Sequence, residues 1–280
     1  MRCSGIVTVS MERLEKGASA WSVAAREDTV AVEEALEVVV VLVDGESVLS
    51  HVFMRTPGHD EELVLGWLWS EGIIKFPREV LEIGQIKECH IRVVLSLEHP
   101  IQWDRIKRSV VGSSSCGICG TKNLTALRYL PFEPIRGVEW SVDPDILVGG
   151  ITVLNDEKSL FSKTGGIHGG ALMTRKGKVS LIREDVGRHN VVDKLVGWGV
   201  EKRRRGEGQW PFELLMVSSR LSFDLVQKCI AAQIPVLIGL GAASSQAVKL
   251  STDYGVTLVG FTKRTKFNVY SHFERIDISG

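Results

Sequence analysis

The chain has 280 residues, 44% of them hydrophobic and 24% charged, with 34 basic side chains balanced by 34 acidic ones. That balance argues against non-specific nucleic-acid binding, which draws on a basic excess to displace counterions from phosphates. No apolar run reaches the roughly 18 residues of a membrane span, and Glu12, Glu15 and Lys16 interrupt the segment from Met1 to Trp21 where a secretory leader would be apolar. Five cysteines, at positions 3, 89, 116, 119 and 229, cannot all pair, and a chain of this size does not depend on disulfide staples, so a reducing cytoplasm is the expected compartment.

At roughly 100 to 200 residues per domain the length predicts two domains. In the first, Val38 to Val43, the turn residues Asp44-Gly45 and the alternating run Ser47 to Met54 predict a β-hairpin. Thr56-Pro57 offers a helix start with Pro57 in the first turn, and Gly72 stops the helix after Leu63, Leu65, Trp67, Leu68 and Trp69. Ile91 to Leu97 reads as a further strand, which makes residues 1–135 a small α+β domain. The stretch SSSCGICG, residues 113–120, followed by Pro131, Pro134 and Pro144, predicts a loop and irregular chain at the boundary.

Residues 136–280 change character to alternating elements. Strands are predicted at Ala171 to Thr174, Val179 to Ile182, Leu214 to Val217, Pro235 to Ile238 and Val256 to Phe261, with helices at Val186 to Trp198, Phe223 to Ala232 and Ser245 to Tyr254. This is an α/β pattern with largely parallel crossovers. The run Lys202-Arg203-Arg204-Arg205 stands alone and reads as a solvated loop.

Cys116-Gly117-Ile118-Cys119 is a CxxC pair open to metal ligation, dithiol redox chemistry or sulfur transfer, with two inert loop cysteines as the plain alternative. Structural zinc wants four ligands, and no second CxxC exists. A catalytic-zinc version would take His59-Asp60-Glu61, which has the His-x-Glu spacing of zinc deaminases, but Ser115 rather than proline precedes Cys116. Gly117 and Gly120 would weaken the helix a thioredoxin-type pair needs. A loop thiol able to meet two partners in turn fits the glycine-rich flanks best.

Thr164 to Gly170 crowds four glycines around His168, a pattern of close backbone approach either to a ligand or to a packed neighbour. Glu184 to Asn190 gathers Asp185, Arg188 and His189 at a helix start, where Asp185 could cap the helix and His189 could meet Asp193 one turn on. The turns Ser218 to Ser222, with Ser219 and Arg220, and Gly239 to Ser245 each lead from a strand into a helix, an arrangement that presents free N–H groups to phosphate. Phe261, Thr262, Lys263, Arg264, Thr265 and Lys266 leave the last strand at the same edge and carry three cations.

Taken together, SSCGICG (114–120), TGGIHGGAL (164–172), EDVGRHNVVDKL (184–195), SSRLSFDLVQK (218–228), IPVLIG (234–239) and GFTKRTKFNVY (260–270), with RTPGHDEELVLGWLWSEGII (55–74) upstream, resemble the FdhD/NarQ family of formate dehydrogenase accessory sulfurtransferases. The sequence departs from the family pattern at Ser219, Ala243-Ser244, Lys263 and Lys266. The resemblance implies a cytidine-deaminase-like three-layer α/β domain lacking the deaminase zinc site behind the smaller α+β domain, and a homodimer. It implies a carrier that takes persulfide sulfur from a cysteine desulfurase on Cys116, with Cys119 assisting, and passes it to bis-molybdopterin guanine dinucleotide before that cofactor enters formate dehydrogenase. The segment Phe261 to Lys266 would bind the cofactor, joined by Ser219, Arg220, His168, Arg188 and His189, and GDP would mimic part of it. A zinc-dependent deaminase-like hydrolase and a non-catalytic molybdenum cofactor chaperone are the competing expectations.

Overall fold

The computed structural model describes residues 5–17, 20–101, 103, 106, 132–154, 159–208 and 212–279. Cys116 and Cys119 lie outside them. Among the described residues the strands form three sheets. Strands β1 (Ile6–Lys16) and β2 (Trp21–Ala31) pair as an antiparallel ribbon whose side chains are mostly exposed. Strands β3 (Glu34–Leu42), β4 (Ser47–Arg55), β5 (Val80–Lys87) and β6 (His90–Leu95) make a four-stranded sheet in the order β4-β3-β6-β5. The valine-rich β3 lies inside it, and the expected hairpin turns through Gly45 at φ +92°.

Helix α1 (Asp60–Ser70) begins later than Thr56-Pro57 predicts: His59, in the left-handed region, precedes it. The delay has a structural cause, since Thr56 is held by residues of the second half, as described below. Leu63, Val64, Leu65 and Leu68 are all fully buried, so the helix has no solvent face along its middle, as a helix apolar all round requires.

Pro144 does not keep the chain irregular as the sequence suggests. It opens helix α2 (Pro144–Leu154), where its missing N–H costs no hydrogen bond. A short helix α3 (Leu160–Thr164) ends at Gly165 in the left-handed region. Then come β7 (His168–Met173), β8 (Val179–Asp185), α4 (Arg188–Arg204), β9 (Leu214–Val217), α5 (Phe223–Ala231), β10 (Val236–Gly239), α6 (Ser245–Tyr254), β11 (Thr257–Lys263) and β12 (Lys266–Ser271). The sheet order is β12-β11-β10-β9-β7-β8. It is less parallel than predicted: β9, β10 and β11 run together, while β7 is antiparallel to β8 and β9, and β12 to β11. The links at Lys176-Gly177 and Arg264-Thr265 are hairpin turns, too short for a parallel crossover. Lys202 to Arg205 is no loop but the end of α4, where Arg204 and Arg205 pair with Glu201, Lys202 pairs with Glu207, and cations suit the negative helix terminus.

Strand alternation sorts the core into two layers. Leu172, Leu215, Val217, Leu237 and Leu258 face α4, α5 and α6. Ala171, Met173, Leu214, Met216, Val236, Ile238 and Val259 face α2. The first layer continues without a break into α1 and the four-stranded sheet.

That continuity depends on two glycines. A Cβ on Gly66 of α1 would overlap the Asp193 carbonyl of α4, and one on Gly197 of α4 would overlap the Glu62 carbonyl of α1. The helices therefore cross backbone on backbone, and each has its glycine where the other's carbonyl arrives. Gly197→Ala gains helix propensity but forces the crossing apart, and its chemical denaturation should show a net loss of about 1 to 3 kcal/mol. An equally stable variant would mean that the helices do not cross there.

His51 on β4 stacks on Trp67 of α1 with ring centroids 5.0 Å apart and meets Phe53 edge-on. Burial, with the positive charge of Lys228 adding to it, lowers this imidazole from an ordinary 6.5 to about 4. As pH falls below 6.5 the unfolded chain takes up a proton that the native state refuses until about 4. Stability is therefore complete above that window and declines on acidification through it. His51→Phe should flatten the decline between pH 6.5 and 5 in urea titrations, and an unchanged pH profile would contradict it.

Candidate functional site

The carboxyl ends of β9, β10 and β11 and the amino ends of α4 and α5 meet at one edge of the six-stranded sheet. Because β7 is antiparallel to β9, its first residue, His168, arrives at this same edge, paired with Asp185 at the end of β8. Gly169 N–H donates to Ser218 Oγ (3.0 Å), and Ser218 N–H to the Gly169 carbonyl (2.9 Å), which ties β7 to the β9 turn. Gly170 lies inside β7, and a Cβ there would press on Val191, Leu195 and the Met216 carbonyl. This glycine of the crowded segment serves helix-to-sheet packing.

Asp185 does not cap α4. Gly187 is the N-cap residue and no side chain caps the helix. The Asp185 carboxylate is instead fully buried and takes four partners: Lys194 Nζ at 2.6 Å, Thr56 N–H at 3.2 Å, Gly187 N–H at 2.9 Å and Asn190 Nδ2 at 2.9 Å. Lys194, 1% exposed, also donates to the Thr56 carbonyl at 2.9 Å, and Thr56 Oγ1 accepts from Val186 N–H at 3.1 Å. One residue of the first half is thus bonded through its amide to the end of β8, through its hydroxyl to the turn that follows, and through its carbonyl to Lys194 of α4. Asp193 does not meet His189 as its spacing suggests, because Lys228 of α5 grips its carboxylate at 2.7 and 2.9 Å.

The two small-residue turns differ from expectation. Leu221 and Ala243 form an isolated parallel bridge; Gly241 N–H donates to Ser219 O, Ser244 N–H to Leu221 O, and Leu221 N–H to Ala242 O. Ser244 then caps α6 by accepting from Ala247 N–H. The 239–244 turn has thus committed these donors to its neighbour, which leaves the uncapped amino ends of α4 and α5 as the anion-facing termini. Ser219 is buried, with its hydroxyl donating to the Arg220 carbonyl at 3.1 Å, and Arg220 is exposed.

Among the described residues, four buried polar atoms at this edge have no hydrogen-bond partner: Arg188 Nε, His189 Nε2, Ser222 Oγ and Thr262 Oγ1. Thr262 is 3% exposed and His189 7%, so water does not readily serve them. Orphaned buried groups are uncommon and point to a ligand. Ser222, the α5 N-cap residue, was not singled out by the sequence beyond its place in a turn; a serine at a helix start is ordinarily spent on capping. His189 Nε2 also lies 3.6 Å from Asp224 Oδ2. Burial, then the charges of Arg188 and His189, hold the His168 imidazole below its usual pKa, with Arg220 adding to them and Asp185 opposing.

Phe261 begins the last candidate segment in the left-handed region (φ +53°), its N–H bonded to Gly241 O at 3.0 Å and its ring 45% exposed. A bulky residue there is strained. Lys263, Arg264, Thr265 and Lys266 form the exposed tip of the β11–β12 hairpin, with Lys263 opposite Lys266. They extend beyond the edge rather than lining it. His59, named for a deaminase-like zinc site, lies 3.5 Å from Glu62 at the start of α1. Among the described residues no three metal-ligating side chains cluster.

The arrangement suits a polyanion. Two arginines, two imidazoles, two open helix termini and two hydroxyls converge, and the carboxylates in reach are engaged by Lys194 or face His189.

The model of the FdhD/NarQ family matches residues 31–277. The sulfur carrier protein FdhD of Sulfolobus acidocaldarius is 39% identical over 91% of this chain and 94% of its own length. The protein of the same name from Mycobacterium tuberculosis is 38% identical over 92% and 95%. A crystal structure of a protein assigned as a formate dehydrogenase accessory protein, from Desulfotalea psychrophila, superposes with a TM-score of 0.69 at 23% identity, covering 96% of this chain and 99% of that one.

Replacing Asp185 by leucine would strand the buried Lys194 ammonium. We expect a loss of about 3 to 5 kcal/mol in denaturant titrations, with most of it restored in Asp185→Leu/Lys194→Met. A double variant no better than the single one would show that the pair is not coupled.

Proposed function

The chain belongs to the FdhD/NarQ family, and from that premise we propose that it is a sulfur carrier for formate dehydrogenase maturation. Cysteine desulfurase is the donor, and the bis-molybdopterin guanine dinucleotide cofactor is the acceptor and cargo. The observation that carries the reading is the extent of the family match, which runs through Cys116-Gly-Ile-Cys119 and every motif of the sheet edge.

The Cys116 thiolate attacks the outer sulfur of the donor persulfide, the donor S–S bond breaks, and the donor cysteine leaves as thiolate. Cys116 then bears the outer sulfur as a persulfide; on release the S–S bond breaks with its electron pair on Cys116, which returns to thiolate, and the outer sulfur passes at the zero oxidation level to the cargo, whose metal would supply the two electrons that make it sulfide. Cys119 helps to position or release it. Of the described cysteines, Cys229 is poorly suited to this work. Cys229 is fully buried against the Ile234 carbonyl, and burial pushes its thiol far up. Cys89 lies between Arg55 and Glu34 at 3.8 and 3.9 Å.

The cargo is an anion with a guanine nucleotide at each end, and the sheet edge supplies what such a group needs. Arg188, Arg220, His168 and His189 offer positive charge, Ser222 and Thr262 offer unused hydroxyls, and exposed Phe261 offers a face on which a base can stack. Ser219 supports the turn, and the exposed Lys263, Arg264, Thr265 and Lys266 reach past it as a rim for outlying phosphate. We read the second half as the deaminase-like layer of the family; its helices on both faces of one mixed sheet support that. The reading also includes a homodimer acting in the cytoplasm.

Incubation with a cysteine desulfurase and cysteine should add one sulfur, removable by reductant, to the peptide containing Cys116. Cys116→Ser should abolish the addition and the recovery of formate dehydrogenase activity in cells lacking their own carrier. Full activity of Cys116→Ser without any sulfur adduct would instead favour a non-catalytic cofactor chaperone.

A further inference from the structure

Strands β1 and β2 pair over 11 residues each without a register shift, and neither contains proline. Among the described residues this sheet has two strands, so β1 from Val7 to Lys16 has no strand along its outer edge. The edge strands of the other two sheets, β4, β5, β8 and β12, each pair with their neighbour through a register shift. Such irregularities are one of the devices that keep a sheet edge from recruiting a further strand. The ribbon lacks that guard. It also falls short of what a sheet needs in water, since two strands are marginal by themselves and three or more hold together. Leu14, Trp21 and Val23, on one face near its turn, are 58, 62 and 60% exposed, and Val7 and Val9 are exposed on the other. The family match begins at residue 31, past almost the whole ribbon.

The β1 edge is complementary to its own copy. Laid antiparallel about Met11, it sets Val7 opposite the partner's Glu15, Thr8 opposite the partner's Leu14, Val9 opposite the partner's Arg13 and Ser10 opposite the partner's Glu12. Met11 meets the partner's Met11. Each charged side chain then faces an uncharged one. The β2 edge, laid the same way over its full length, would set Arg26 against the partner's Arg26. Pairing from Val7 to Glu15 makes on the order of eight backbone hydrogen bonds, within the roughly 5 to 15 of a typical interface.

Resting on the homodimer of the reading above, we propose that two copies join along β1 into one four-stranded sheet in the order β2-β1-β1-β2. The ribbon is rooted firmly enough to carry such a join. A Cβ on Gly5 at its base would press on Leu160 of α3 and on the methyl of Thr56, and the Gly5 carbonyl accepts from Val32 N–H at 3.0 Å.

Sedimentation velocity of the full-length protein over a range of concentrations tests this. Wild type should be dimeric. Met11→Lys sets lysine against lysine at the centre of the join, and Met11→Glu sets glutamate against glutamate, so each should raise the dimer dissociation constant at least about tenfold. An equimolar mixture of the two variants should recover the dimer, because lysine then faces glutamate; that recovery separates a broken join from a misfolded arm. A dimer equally tight in wild type and both variants, or variants weakened alone and not recovered by mixing, overturns the β1 join and leaves the homodimer standing on another surface. A wild type that stays monomeric at every concentration removes the homodimer from the reading, and the join with it.

Discussion

The crossing of α1 over α4 is the contact from which the rest of the molecule follows. Two carbonyls, of Glu62 and Asp193, occupy the space where Cβ atoms would stand on Gly197 and Gly66. So close an approach joins a four-stranded sheet and a six-stranded one through a single apolar core. It also fixes where the chain entering α1 runs. Thr56 is delivered to the end of β8, and there its amide, carbonyl and hydroxyl complete the surroundings of Asp185 and Lys194. The turn that presents Arg188 and His189 is thus built partly from the other half of the chain.

Charge is used in two distinct ways. Asp185 with Lys194, and Asp193 with Lys228, are ion pairs in which both members are buried and bonded. Such pairs add little net stability over an apolar replacement, but breaking one is costly, so they specify a geometry more than they strengthen it. At the sheet edge, by contrast, donors are left unspent. Among the described residues Arg188 Nε, His189 Nε2, Ser222 Oγ and Thr262 Oγ1 are buried there without a hydrogen-bond partner, His189 facing Asp224 at 3.6 Å. Paired interior charges beside an unsatisfied rim are the electrostatic form of a preorganised site. The strained backbone at Phe261, held by Gly241, belongs to the same economy of strain.

Much of this was legible in the amino-acid order. The β3–β4 hairpin, the apolar body of α1 and the strand–helix alternation from β9 to β11 are written in short-range patterns, because turn residues and side-chain period act within a few positions. The family motifs named His168, Arg188, His189, Arg220 and Thr262, all of which arrive at one edge. The departures came where long-range partners outweigh local preference. Asp185 looks like a cap and is a buried counter-ion; Pro57 looks like a helix start and lies before a delayed one; Pro144 looks like a breaker and opens a helix.

The sequence by itself determined which residue types are present at which spacing: a CxxC flanked by glycine, cations after the last strand, a His-bearing helix start, and glycines at 66 and 197 whose purpose it could not state. Tertiary structure alone decided that the two phosphate-like turns spend backbone amides on each other, since hydrogen bonds between 219–221 and 241–244 join segments some twenty residues apart. It alone decided that Ser222 and Thr262 go unpartnered. Whether a donor is satisfied depends on every group around it in space, and no local pattern encodes that count.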